Sequence, residues 1–204
     1  MNDMNPAFLK ASAMPDVQSN VDERALPIEQ VGIRGVRHPL TIRSKTGNFP
    51  SVGQFEMDVA LPAHVKGTHM SRFMALLQKQ DEPVDSATVV AMVNEMLPLL
   101  DAKEGHIQFT YTHFVKKAAP VSGVESLMDY EVTWMATAKQ NATGATAVEL
   151  GLRAQVPVMS LCPCSKEISE FGAHNQRSHV TMTVVLDSQT KMTVEDLVTA
   201  AESE

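Results

Sequence analysis

An α+β fold built on an antiparallel sheet is the architecture this sequence predicts, and three observations predict it. Apolar residues recur at every second position in several segments, the period of a half-buried strand. Two segments with apolar residues at helical spacing follow the early strands. Two more long alternating segments come directly after those helices. The resulting order, ββααββ, describes a four-stranded antiparallel sheet with two helices on one face.

Each element has its own reason. Residues 39–44 form a first strand, with Leu40 and Ile42 alternating against polar neighbours. Residues 54–61 are clearer: Phe55, Met57, Val59 and Leu61 share one face, and Gln54, Glu56 and Asp58 the other. A loop from Pro62 to Gly67 leads into a helix over 71–80. A second helix starts at Ser86, with Val89, Val93, Met96 and Leu100 at helical spacing, and Pro98 is expected to distort or shorten its last turn. Residues 106–116 place Ile107, Phe109, Tyr111 and Val115 together, and residues 128–139 place Met128, Tyr130, Val132 and Trp134 together.

After a turn at Gln140-Asn-Ala-Thr-Gly144 the pattern restarts. Residues 147–156 and 179–187 alternate again, and a helix over 193–202 turns Val194, Leu197 and Val198 inward. Three regions result: an N-terminal arm over 1–30, a first module over 31–140 and a second over 141–204. The second reads only ββα. An interrupted repeat leaves a sheet edge and an apolar helix face uncovered, so the natural protein is expected to be longer, its last helix having nothing to pack on within 204 residues.

Composition narrows the functional classes. With 17 Lys and Arg against 24 Asp and Glu, the net charge of −7 gives no argument for a nucleic-acid partner. No run approaches the roughly 18 apolar residues of a membrane span, and residues 1–20 carry no signal-peptide core. Two cysteines two residues apart make no disulfide framework, and a bridge between them would be strained, so a reducing cytoplasm is the expected home.

The chemistry concentrates in residues 161–178. They hold the only two cysteines, Cys162 and Cys164, and His174 twelve residues after the first. A thiolate and an imidazole at that spacing can meet on one divalent cation if a short helix folds between them. Cys164 and Ser165 sit where that helix would start, and Gly172 where it would stop. In an extended backbone the two cysteines point to opposite sides, so the residues alone do not choose the ligand. One packing cysteine and one incidental one is the plain alternative. His179 shares a strand face with Thr181 and Thr183, where it either reaches a polar cleft or is simply solvated. A second constellation, Lys66-Gly-Thr-His-Met-Ser-Arg72, joins a helix start capped by Thr68 or Ser71 to two cations, an arrangement suited to phosphate as well as to an ordinary capped helix. Lys116 and Lys117 are a further candidate for a basic pocket.

Together Lys66-Gly-Thr-His-Met-Ser-Arg-Phe73, Lys116-Lys-x-Ala-Pro-Val-Ser-Gly123 with Leu127-x-Asp129-Tyr130, and residues 161–178 resemble the type IB GTP cyclohydrolase I enzymes, a metal-dependent group of the tunnelling-fold superfamily. Val31-Gly-Ile33 is similar to that family's N-terminal region, and the resemblance spans nearly the whole chain. It implies an enzyme that opens the imidazole ring of GTP, releases C8 as formate and closes 7,8-dihydroneopterin triphosphate, the entry step to tetrahydrofolate. It implies a divalent cation, zinc or manganese, held by Cys162 as catalytic thiolate and by His174, with Cys164 supporting. Lys66, His69 and Arg72 are the implied triphosphate or pocket contacts. The implied fold is a tandem of ββααββ modules in a barrel-like homotetramer, with sites between subunits. Further metal ligands and a guanine-anchoring glutamate are implied beyond residue 204, so that this chain alone would bind metal weakly and be inactive. Two other readings stand beside it: a tunnelling-fold nitrile reductase using its cysteine as a nucleophile with NADPH, and a non-catalytic metal-binding or assembly module.

Overall fold

Alternation decides which side of every strand meets the core. The structure, a computed structural model, describes residues 21, 23–170, 172, 174–187 and 192–203. Six strands form one antiparallel sheet in sequence order: β1 (Ile28–Ser44), β2 (Gly47–Leu61), β3 (Glu104–Ala118), β4 (Glu125–Gln140), β5 (Thr146–Leu161) and β6 (Asn175–Leu186). Helices α1 (Met70–Gln78) and α2 (Ser86–Leu99) connect β2 to β3, α3 (Pro163–Ile168) connects β5 to β6, and α4 (Val194–Glu202) follows. No helix among the described residues is long and apolar enough to cross a membrane.

One face of the sheet is apolar and covered. Phe55, Met57 and Val59 of β2, Ile107 and Phe109 of β3, Val132 of β4 and Leu152 of β5 are buried with Phe73 and Leu77 of α1 and Val89, Val93 and Met96 of α2. Phe55 stacks on Phe109 with ring centroids 4.7 Å apart. The other face is polar, as the period requires: Asp58 accepts from or shares a proton with His106 Nδ1 at 2.7 Å, and Thr110 bonds Thr133 at 2.8 Å.

β1 begins eleven residues earlier than its apolar pattern suggests. Its first half pairs with β2 through register shifts between Ile28 and Val31 and between Arg34 and Val36, which break period 2. Residues 28–30 therefore belong to a strand rather than to the arm expected over 1–30, while residues 1–20 and 22 lie outside those described. Gly32 explains part of the Val31-Gly-Ile33 motif, because a Cβ there would stand 1.9 Å from the Met57 carbonyl oxygen. Pro98 falls inside α2, which ends one residue later. The turn at 141–145 is closed by Asn141, whose Oδ1 accepts from Thr143 N and Ala145 N, and by Gly144 at φ 86°. It joins β4 and β5 as neighbours in a single sheet over a single core.

The last helix corrects one expectation. Its apolar face is covered: Val194, Leu197, Val198 and Ala201 are buried, and α4 lies on β5 and β6. Thr193 and Asp196 form a reciprocal capping box at its start. Long-range polar contacts fasten it further. Glu195 accepts from Ser44 Oγ at 2.6 Å and Lys45 N at 3.1 Å, and Tyr130 donates to Glu202 at 3.0 Å. β1 and β6 remain the sheet's two edges.

Candidate metal centre

Strand register, not sequence proximity, brings Cys162 to His174. β5 and β6 pair from Leu150↔Leu186 to Leu161↔Asn175, so the residue after β5 and the residue before β6 emerge side by side. The Cys162 amide donates to the His174 carbonyl at 3.3 Å. Ser160 and Ser178 hydroxyls bond at 2.9 Å one turn of the pleat inside that end, fixing the pair.

α3 fills the twelve-residue interval differently from the expected helix. Cys162 is its N-cap and Pro163 its first residue, where proline's missing N–H costs nothing. The helix closes at Ile168, with Ser169 N donating to Ser165 O at 2.9 Å, so Gly172, at φ 95°, lies in the return loop and does not cap it. This turn makes Cys162 and Cys164 inequivalent: Cys162 is half-buried at the strand end and Cys164 is exposed on the helix.

The electrostatics single out the same thiol. Hydrogen bonds from the Ser165 hydroxyl and amide, with a further contribution from His174, pull the Cys162 thiol down to about 7, against a smaller opposing effect of desolvation. That shift favours the thiolate, the form that ligates a cation. His174 Nδ1 lies 3.3 Å from the Asn175 carbonyl, which can only accept, so Nδ1 donates there and Nε2 is the nitrogen left to face a cation. A thiolate and a neutral imidazole suit a borderline-soft divalent cation. They fit as part of a coordination shell, since catalytic zinc commonly takes three protein ligands and the described residues hold no group of three or more His, Cys, Asp or Glu poised for a metal.

The second constellation is elsewhere. α1 starts at Met70 with His69 as N-cap and no side-chain capping bond, so neither Thr68 nor Ser71 caps it. Thr68 is buried, His69 half-buried and Lys66 exposed. Gly67, Thr68, His69, Arg72 and Asp101 border a cavity of 170 Å³. Arg72 is committed to its own chain, donating to the Leu99 carbonyl at 2.9 Å and to Asp101 at 3.1 Å. Lys116 and Lys117 are likewise paired, with Glu125 and Glu202. β2 runs toward Leu61 and β5 toward Leu161 in opposite directions from the shared row Gln54–Thr110–Thr133–Arg153. The two constellations therefore occupy opposite ends of the sheet, about 50 Å apart along the strands. One chain does not join them.

Sequence reasoning missed two contributors, Ser165 and His113, and left the place of His179 open. Ser165 supplies the bonds that favour the thiolate, and only the position of α3 reveals this. His113 is fully buried, with Nε2 3.3 Å from Glu195. Its place two residues after Tyr111 on the apolar face was the available signal. His179 does line a polar cavity of 210 Å³, with Thr112, Asp129, Glu131, Gln155 and Arg177.

Comparison with known proteins adds an independent line. The family model described as type I GTP cyclohydrolase folE2 matches residues 14–204. The chain is 90% identical over 201 residues to the GTP cyclohydrolase FolE2 of Polynucleobacter asymbioticus, covering 98% of this chain and 74% of that protein. It is 52% identical over 204 residues to the FolE2 of Cupriavidus pinatubonensis and 53% identical over 205 residues to that of Paraburkholderia phymatum, in each case covering all of this chain and 72% of the relative. These matches show that the chain belongs to the type I GTP cyclohydrolase FolE2 family.

Proposed function

We propose that this protein is a GTP cyclohydrolase of the type IB class, opening the guanine imidazole ring of GTP with release of formate to give 7,8-dihydroneopterin triphosphate. The observation that carries the reading is the juxtaposition of Cys162 and His174 by the β5–β6 register, in a chain 90% identical to a protein named GTP cyclohydrolase FolE2. A divalent cation, zinc or manganese, would be held by Cys162 and His174 and would supply activation of water for attack at C8.

The chain's own residues prepare that role. Ser165 favours the thiolate form of Cys162, and the Asn175 carbonyl holds the His174 proton on Nδ1, leaving Nε2 for the cation. Cys164, exposed on α3, is a supporting residue. Lys66, His69 and Arg72 are proposed to contact the triphosphate. Their distance from Cys162 within one chain favours a site assembled from two copies, in keeping with a tunnelling-fold homotetramer of tandem modules over 31–140 and 141–204. Two unpaired cysteines suit a reducing cytoplasm. The nitrile reductase and the non-catalytic module gain no support from the family match.

The test is formate release from GTP. The reading requires formate without NADPH, its loss on chelation and its return with zinc or manganese. Formate production indifferent to a chelator, or NADPH oxidation with a deazaguanine nitrile in its place, would overturn it.

A further inference from the structure

Asp101 stands where a chain ordinarily places glycine. Leu100 ends α2, Ala102 N donates to the Leu97 carbonyl at 2.9 Å and Asp101 N to the Pro98 carbonyl at 3.4 Å. These are the paired bonds of a helix end whose next residue turns left-handed. That residue is Asp101, at φ 53°. Among the described residues only Ala25 shares a positive φ without being glycine, and glycine adopts this conformation at no steric cost. The Asp101 side chain is 85% exposed and adds nothing to the core. What it touches is Arg72, at 3.1 Å.

That contact fixes the guanidinium without using it up. Both bonds of Arg72 run from Nη1, one to the Leu99 carbonyl and one to Asp101 Oδ2. The two hydrogens of Nη1 are thereby engaged, and the Nε–Nη2 edge is left, the fork that pairs with two oxygens of a phosphate. Arg72 and Asp101 border the 170 Å³ cavity at the start of α1, and Asp101 is the sole acid of its lining. Thr68, 6% exposed, brings a hydroxyl to the same cavity.

The two effects of Asp101 on an anion oppose each other. Its charge alone repels a phosphate. Its bond to Nη1 removes in advance the freedom that a long side chain otherwise loses on closing over a ligand. A carboxylate kept at a glycine position, aimed at one nitrogen of the neighbouring arginine, is accounted for by the second effect.

We propose that Asp101 is a positioning residue for Arg72, holding its Nε–Nη2 edge ready for one phosphate of a triphosphate, a role that rests on the cyclohydrolase reading of Arg72 as a triphosphate contact.

Calorimetric titration of the metal-free protein with inorganic triphosphate tests the two separately. The parent is expected to bind and Arg72→Gln to bind more weakly. A parent that does not bind, or an Arg72→Gln protein that binds as the parent does, overturns the role of Arg72 and that of Asp101 with it. Asp101→Gly is expected to melt at or above the parent temperature, because glycine suits the left-handed turn, and yet to bind triphosphate about fivefold more weakly. Asp101→Asn keeps an acceptor at the same place and is expected to bind within about twofold of the parent. Where Arg72→Gln is weakened, an Asp101→Gly protein that binds as tightly as the parent, or more tightly as loss of charge alone would give, overturns the role of Asp101 and leaves that of Arg72 standing. So does an Asp101→Asn protein as weak as Asp101→Gly.

Discussion

Replacing Cys162 by serine is expected to remove the thiolate without unfolding the chain, since the side chain is only half-buried at a strand end. Loading with cobalt checks this: the thiolate-to-cobalt absorption band is lost in Cys162→Ser and kept in Cys164→Ser. In the metal-free protein the Cys162 thiol is expected to titrate near 7 and Ser165→Ala to move that midpoint upward, read from thiolate absorbance against pH. Glu195 makes a different, structural prediction. Burial alone would raise its carboxyl, but hydrogen bonds from His113, Ser44 and the Lys45 amide outweigh burial and hold it below the usual carboxylate range. A depressed carboxylate contributes stability that is fully present above its unfolded value of about 4.3 and is lost as pH falls toward the folded value. Urea midpoints are therefore expected to fall below about pH 4.5, with a shallower acid limb in Glu195→Gln. His113, whose Nδ1 is already without a partner, loses its other contact in Glu195→Ala, at a cost of about 1–3 kcal/mol.

Elements divide by whether their reasons are local. Asp85 caps α2 through Thr88 N at 2.9 Å, and Asp85→Ala is expected to cost about 1 kcal/mol in thermal or urea unfolding. Gly32→Ala is expected to cost more than about 2 kcal/mol, because the new methyl group meets backbone that cannot yield without breaking the β1–β2 pairing. The central parts of β2 through β5 were legible from strict alternation, without residues 47–53 of β2 and 157–161 of β5, and α2 was legible from helical spacing, though its capping Asp85 was not singled out. The first half of β1 was not, because its register shifts break the period and its residues are largely exposed. α3 was placed but overextended, since proline set its start while its end depends on the β6 pairing that draws the chain back. The covering of α4 was hidden in the sequence because its partners, Ser44, Lys45, His113 and Tyr130, lie far away along the chain. Of the candidate site, the Cys162–His174 spacing was readable; the service of Ser165 and the pairing of Arg72 with Asp101 required the fold.

At the scale of the molecule, one sheet separates the two motifs that the family resemblance unites. Lys66, His69 and Arg72 lie at one end and Cys162 and His174 at the other, so a pocket holding both is expected to form only between copies. Mixing Cys162→Ser with Lys66→Ala is then expected to restore activity that each variant lacks alone, because some mixed sites carry both native sets; absence of recovery in verified mixed oligomers would place the whole site within one chain. The thiolate–imidazole pair is the proposed seat of metal-dependent GTP chemistry. Formate released from GTP in the presence of zinc or manganese by the parent, Cys162→Ser and His174→Ala proteins tests it most directly. The expected result is formate from the parent and a drop of at least about a hundredfold in both variants; parent-level formate from either variant would contradict the account.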